Sequence, residues 1–312
     1  MNKKIDLVYL WVDGSDEKWA EKKANALAKY KGIALNKDTV ASCRFLQNDE
    51  LKYSLRSVEK YASWINHIYI VTDNQVPKWL SLDNPKITIV NQNEIMPSKF
   101  LPCFNSCAIE THIINIQNLS DDFLYANDDM FFWNKVSPSF FFDEKNRAVC
   151  VMDKKIKNRE YKHQYGHTVV KAYKLVRDRL GVDVPYFPHH GIDAYKKLLL
   201  KQCNEFFYDE IEETKRHKFR DFEDVQRAIY QYFMIAKQEG VLSVPKKKSF
   251  FEKLFKSDVE YVSCKISSLK KAYKSKSEIM CINDGRKTTD ADRRFMKEIL
   301  EKKFGEKSSF EL

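Results

Sequence analysis

Three apolar runs in the first half of the chain end at acidic residues. Residues 5–12 run into Asp13, 67–72 into Asp73, and 123–126 into Asp128 and Asp129. Each run is short and continuous, the pattern of a strand buried on both faces. Between them the periodicity becomes helical. Ser15 is placed to cap a helix over about 16–30 that ends near Gly32. Asn48 or Asp49 is placed to cap a second, whose Leu51, Leu55, Val58 and Ala62 form one apolar stripe. A third helix is expected over about 106–117. Strands alternating with helices imply a mostly parallel sheet covered by helices on both faces. Ligands of such sheets bind outside the carboxyl ends of the strands, where Asp13, Asp73, Asp128 and Asp129 would emerge together.

The segment FLYANDDMFF at 123–132 sets two adjacent carboxylates among apolar and aromatic residues. Buried without compensation, the pair would be costly or one member would take up a proton. A positive group is therefore expected beside Asp128 and Asp129. A hard divalent cation, Mg²⁺ or Mn²⁺, suits carboxylate oxygens and commonly shares them with substrate phosphates. The competing reading is that some of these aspartates only cap helices or make turns. It stays open for Asp73, which Asn74 follows, and is weaker for the adjacent pair.

Beyond about residue 145 the pattern changes. Residues 150–185 are basic and mixed, 193–205 read as helical, and 218–226 open a helix that reaches about 238. A VPKKK break at 244–248 precedes a basic region, and a last helix is expected from about Asp290 to Lys303. The expected division is a core over 1–145, a mostly helical part over 146–240 that completes the site, a basic segment over 241–280, and a returning C-terminal part over 281–312.

Composition narrows the class. With 43% hydrophobic and 13% aromatic residues but eight glycines and eight prolines, the 312-residue chain reads as globular rather than disordered or repetitive. Seven scattered cysteines without a CxxC pair argue against a disulfide framework or a zinc knuckle. His67, His112, His163, His167 and His217 likewise show no zinc-site spacing. The first strand is too short and too acidic for a secretion signal, and no apolar run suits a membrane span, so a cytoplasmic location is expected. The net charge of +10 suits an anionic partner, and ten lysines within 246–276 supply much of it. Nucleic acid is disfavoured as that partner, because the clustered acids would repel phosphate without a metal.

Four ordered blocks resemble the Stealth proteins, bacterial capsule and exopolysaccharide sugar-1-phosphate transferases related to animal N-acetylglucosamine-1-phosphotransferase. The first is IDLVYLWVDGSD at 5–16. The second runs from CRF at 43–45 through NDELKYSLRSVEKY and IYIVTDNQVPKW to FLYANDD at 123–129. PHH at 188–190 with FRDFEDVQ at 219–226 forms the third, and CIND at 281–284 with SSFE at 308–311 the fourth. The resemblance implies transfer of a hexose 1-phosphate from a UDP-sugar to a hydroxyl of an acceptor glycan, with release of UMP. Its matching residues are Asp13, Arg44, Asp128, Asp129, His189, Arg220, Asn283 and Asp284. The fold expected is α/β, with a mostly parallel, Rossmann-like or glycosyltransferase-A-like sheet covered by helices and a helical C-terminal part.

Phosphoryl transfer assigns roles to these residues. Asp128 and Asp129, joined by Asp284, would hold Mg²⁺ or Mn²⁺ across the diphosphate. Arg44 and Arg220 suit forked bonds to phosphate oxygens. His189, which follows Pro188 directly, is the candidate general base ahead of His190. A packed histidine in a Pro-His turn, or Asp13 as the base, are the alternatives. Asp13, Arg56, Asp73, Asn127, His190 and Asn283 are expected at the substrate. Arg56 with Glu50 either steadies Arg44 or Asp73 or forms an exposed ion pair.

An ordinary glycosyltransferase releasing UDP would use the same acids, and a non-catalytic binder of anionic polymers is the rival from another class. SFFEKLFK at 249–256 places Phe250, Phe251, Leu254 and Phe255 at helical spacing beside lysines. It reads either as a helix docked on the core or as a contact with an anionic membrane at the inner face of the plasma membrane, where a lipid-linked acceptor would lie.

Overall fold

The computed structural model describes residues 3–29, 45–244 and 258–312. Its strands are β1 (Asp6–Leu10), β2 (Ile68–Thr72), β3 (Ile87–Asn91), β4 (Asp122–Asn127), β5 (Met130–Phe132), β6 (Ala148–Lys155), β7 (Tyr186–Pro188), β8 (Asp193–Lys196), β9 (Gly240–Ser243), β10 (Val259–Ser263) and β11 (Ile279–Asn283). Its helices are α1 (Glu17–Ala28), α2 (Glu50–Tyr61), α3 (Gln92–Ile95), α4 (Ser106–Glu110), α5 (Gln164–Leu180), α6 (Lys197–Phe206), α7 (Tyr208–Arg216), α8 (Ala228–Ala236), α9 (Ile266–Ala272) and α10 (Asp290–Phe304).

The main sheet has the order β3-β2-β1-β4-β8. Its first four strands are parallel, and β8 closes the edge antiparallel to β4. β1, β2 and β4 are almost wholly buried, as their unbroken apolar runs require. Because β2 and β3 lie to one side of β1 and β4 to the other, the strand order reverses beside β1. The crevice of such a sheet lies at that reversal. The register brings Leu10 level with Val71 on one side and Asn127 on the other, so the three carboxyl ends finish together.

After β4 the chain turns at Asp128 and Asp129 and enters β5, which belongs to a second sheet of order β10-β11-β5. The acid pair is thus the corner between two sheets. Phe131 and Trp133 anchor the second sheet in a separate cluster with Met280, Met296 and Phe304. A fully buried aromatic of this kind contributes roughly 2–3 kcal/mol. A third sheet, β7-β6-β9, has at its centre β6, which enters the 150–185 region that reads only as basic and mixed in sequence.

Several local expectations are corrected. Asp16 rather than Ser15 caps α1, its carboxylate accepting from Trp19 N at 2.8 Å. Neither Asn48 nor Asp49 caps α2 with its side chain: Asn48 donates to Glu50, and Asp49 pairs with Lys297 at 2.6 Å. The helix expected over 106–117 is α4 followed by a separate 3₁₀ turn, Ile113–Asn115. Residues 193–196 are strand β8, and only from Lys197 is the chain helical. The 218–226 segment is not helical. Asp224 shapes it, accepting from Asp221 N at 2.8 Å, Asn105 Nδ2 at 3.0 Å and His217 Nδ1 at 2.8 Å. The final helix is where it is expected, from Asp290 to Phe304, with Thr289 and Asp292 in a reciprocal cap.

Among the described residues, no helix is long and apolar enough to cross a membrane. The amphipathic segment 249–256, with Lys246, Lys247 and Lys248 before it, lies outside the described residues.

Candidate functional site

The carboxyl end of β1 continues through Trp11 and Val12 to Asp13. Gln47 ties this end to the acid turn. It accepts from Trp11 Nε1 at 2.9 Å and donates to Val12 O at 2.8 Å and to Asp128 Oδ2 at 3.1 Å. Asp129 Oδ2 accepts a weak bond from Cys281 Sγ at 3.5 Å, while Asp129 Oδ1 is buried without a partner. Among the described residues no lysine or arginine forms an ion pair with either aspartate. Burial, then the charge of Asp129, pushes Asp128 up to about 7. Burial likewise pushes Asp129 up to about 6, the Cys281 bond opposing and Glu50 reinforcing. Glu50 is itself pushed up to about 7 by burial and then by Asp128. Asp128, Asp129 and Glu50 thus feel one another's charge, with no lysine or arginine paired to the two aspartates among the described residues.

Whether these residues fit a divalent cation is decided by their open oxygens. Adjacent carboxylates, one with an orphaned buried oxygen, provide the hard donors Mg²⁺ or Mn²⁺ prefers. Among the described residues no three acidic, histidine or cysteine side chains form a ready-made ligand group. The fit is therefore to an ion that completes its shell with water and ligand oxygens. Asp284 follows β11, whose Ile282 N donates to Asp129 O at 3.0 Å. Its carboxylate is held by Arg293 in a fork of 2.7 and 3.2 Å and makes no bond to Asp128 or Asp129 among the described residues. Asn283 ends β11, and its carbonyl accepts from Cys264 N at 2.8 Å.

The other expected acids are engaged elsewhere. Asp13 Oδ1 accepts from Ser15 N at 2.9 Å and Ser15 Oγ at 2.7 Å, shaping the turn into α1. Its backbone exchanges two bonds of 2.9 Å with Gln75. Gly14 in that turn presses against Phe45, where a Cβ would come within 2.5 Å of Phe45 Cβ and carbonyl oxygen. Arg44, next to Phe45, lies outside the described residues. Asp73 pairs with Lys22 at 2.6 Å and lines a separate recess of about 290 Å³ with Asn74 and Gln92. Arg56 is buried on the far side of α2, forked onto Glu311 at 2.8 and 2.9 Å, with Nη1 donating to Phe304 O at 2.9 Å. Its fork is filled by the C-terminal segment and does not face the cleft.

Beside the acid corner a cleft is walled by Asn127, Arg220, His190 and Ser106, with Glu110 and Arg227 behind them. Arg220 Nη2 donates to Ser106 Oγ at 2.5 Å. His190 stands edge-on to Tyr165 and Tyr261, at ring distances of 6.0 and 5.3 Å. Burial, then the charge of Arg227, lowers it to about 3. His189 lies one residue along, its N donating to Val151 O at 2.9 Å and its Nδ1 buried without a partner. Burial lowers it as well, but Asp153 and Asp193 act in the opposite direction.

Among the residues that sequence reasoning missed is Arg227. It is 9% exposed, donates from Nε to Asp193 Oδ2 at 2.8 Å, and places Nη1 3.6 Å from Glu110 Oε1. Tyr125 donates to the same Glu110 oxygen at 2.8 Å and lies 3.2 Å from Asn127 Oδ1. The network runs from α8 to the residue preceding the acid pair. Its only signal in the sequence was that Arg227 directly follows the FRDFEDVQ block.

Residues 3–31 match the model of Stealth protein conserved region 1, and 44–150 that of conserved region 2. These regions contain Asp13, Arg44, Arg56, Asp73 and the Asn127-Asp128-Asp129 corner; His189, His190, Arg220, Asn283 and Asp284 fall outside them. The chain is 34% identical over 256 residues to a capsular polysaccharide phosphotransferase, fcs1, of Haemophilus influenzae, covering 77% of this chain and 67% of that one. It is 48% identical over 140 residues to the exopolysaccharide phosphotransferase cps2G of Lactiplantibacillus plantarum, covering 45% and 40%. With the exopolysaccharide phosphotransferase CpsY of Mycobacterium tuberculosis it shares 31% identity over 290 residues, 90% of this chain and 52% of that one. The chain thus spans between 40% and 67% of the length of these relatives. It belongs to the Stealth family.

Proposed function

We propose that the chain is a phosphotransferase of capsule or exopolysaccharide synthesis that moves a hexose 1-phosphate from a UDP-sugar to a hydroxyl of an acceptor glycan. The acceptor oxygen attacks the phosphorus next to the hexose. The bond from that phosphorus to the bridging oxygen breaks, and UMP leaves with the bridging oxygen. The hydroxyl proton passes to a base. The relatives' names, all phosphotransferases of capsular or exopolysaccharide, support the reaction class.

The observation that carries this reading is the acid corner at the strand-order reversal, which has no ion pair to a lysine or arginine among the described residues, beside the cleft that Arg220 lines. Asp128 and Asp129 would hold Mg²⁺ or Mn²⁺, which when bound offsets the negative charge of the diphosphate. In this reading Arg220 binds phosphate oxygens from the cleft that it lines with Asn127. In this reading His189 serves as base: burial lowers it, with Asp153 and Asp193 acting against that, whereas burial and the charge of Arg227 both lower His190. A lipid-linked acceptor would place the reaction at the cytoplasmic face of the plasma membrane.

The experiment is turnover of a panel of UDP-sugars with short glycans, with and without a chelator. Turnover is expected to stop with the chelator and return with Mg²⁺ or Mn²⁺. Asp128→Asn and Asp129→Asn should each remove most of it while the protein stays folded. Near-normal turnover in either variant would make that carboxylate structural.

A further inference from the structure

Two buried polar atoms in the cleft have no hydrogen-bond partner among the described residues. Glu110 is 3% exposed: Oε1 accepts from Tyr125 at 2.8 Å and faces Arg227, whereas Oε2 has no hydrogen bond. Gln164, the first residue of α5, is 5% exposed, and its Nε2 donates to nothing. Both line the same cavity, together with Asn127 and Arg220. Buried polar groups are usually bonded, so an acceptor and a donor left open in one cavity offer a matched pair to a group that enters it.

The chemistry of the pair selects the ligand. An anion would meet the Glu110 carboxylate, and a cation would meet the Gln164 amide hydrogens. A hydroxyl both donates and accepts, and so satisfies both. The cavity, about 50 Å³, admits hydroxyl-sized groups but not a nucleobase. Its position selects the molecule. Asn127 immediately precedes Asp128, and Arg220 stands on the shared wall, so a group lodged here adjoins the phosphate nearest the sugar.

We propose that Glu110 Oε2 and Gln164 Nε2 form a subsite that reads hydroxyls of the donor hexose. This rests on the UDP-sugar reading above. A site built to bond a hydroxyl strongly rejects the analogue lacking it, because its own polar groups are then left unpaired. Glu110 and Gln164 are therefore determinants of which hexose is accepted.

The test is titration calorimetry of the full chain with UDP, UDP-glucose, UDP-galactose and UDP-N-acetylglucosamine in Mg²⁺ buffer. Wild type, Glu110→Gln and Gln164→Leu are compared, and Gln164→Leu keeps the test valid should Glu110→Gln disturb Arg227. The preferred UDP-hexose is expected to lose about tenfold or more in affinity in the variants, with UDP changed by less than about twofold. Equal losses for UDP and UDP-hexose, or no loss for either in Gln164→Leu, would overturn the subsite and leave a structural pair. Wild-type protein that binds none of the four nucleotides would instead overturn the donor reading, and the subsite with it.

Discussion

Arg56 and Glu311, 255 positions apart, form a two-bond fork of 2.8 and 2.9 Å in which both side chains are under 10% exposed. The fork fastens the C-terminal segment to α2. Burial would raise the Glu311 carboxyl, but Arg56 and the Ser308 N–H and hydroxyl more than offset it and hold it down to about 2. Removing one partner of a buried pair strands the other, so Arg56→Ala should cost about 3 kcal/mol. The UDP-sugar KM of the folded fraction should stay unchanged. Because this carboxyl is lower in the folded than in the unfolded chain, its contribution is present above the ordinary glutamate value. It is lost as pH falls from about 5 toward 2. Denaturant titration of wild type and Arg56→Ala at pH 7 and pH 3 measures this, and the gap should narrow at the lower pH.

The acid corner has the opposite sign. Asp128, Asp129 and Glu50 are raised to between about 6 and about 7, so the folded chain holds protons that the unfolded chain releases near pH 4. Without a divalent ion, stability should fall as pH rises from about 4 through 7. Saturating Mn²⁺ should flatten that fall, and Asp128→Asn should raise the melting temperature at pH 8 without metal. Scanning calorimetry at pH 5.5 and 8, with and without Mn²⁺, checks all three. A melting temperature at pH 8 that ignores both the ion and Asp128→Asn would remove the cation from this corner.

The neighbouring histidines separate by mutation. His189→Ala should lower turnover by about 10²-fold or more, as loss of a general base does, with UDP-sugar binding little changed. His190→Ala should lower turnover far less, because its ring is packed edge-on against Tyr165 and Tyr261. The reverse order would assign the base to His190.

The parts of this fold that depend on local pattern were legible in the sequence. β1, β2 and β4 are continuous apolar runs ending at acids, and that alone placed Asp128 and Asp129 at the carboxyl edge. β8 was not legible: it pairs only with β4, and its four residues run into helix-forming Lys197, Leu199 and Leu200, so the whole stretch reads as helix. Arg227 was not legible because a charged residue reads as surface. It is buried only because Asp193 and Glu110 arrive from distant elements to meet it. Arg56 misled for the same reason, since its partner Glu311 lies at the far end of the chain. Gln47 gave no signal, because an uncharged amide acquires meaning only from the three groups it bridges.

The central claim is that the bond broken lies between the two phosphates and not at the anomeric carbon. The most direct measurement is the identity of the nucleotide released as UDP-sugar and acceptor glycan react, resolved by ion-exchange chromatography alongside phosphorus NMR of the glycan. The account predicts UMP in step with a new phosphodiester, with the anomeric configuration of the hexose retained. UDP released in step with a phosphate-free glycosidic product would contradict it and make the same acid corner that of a glycosyltransferase.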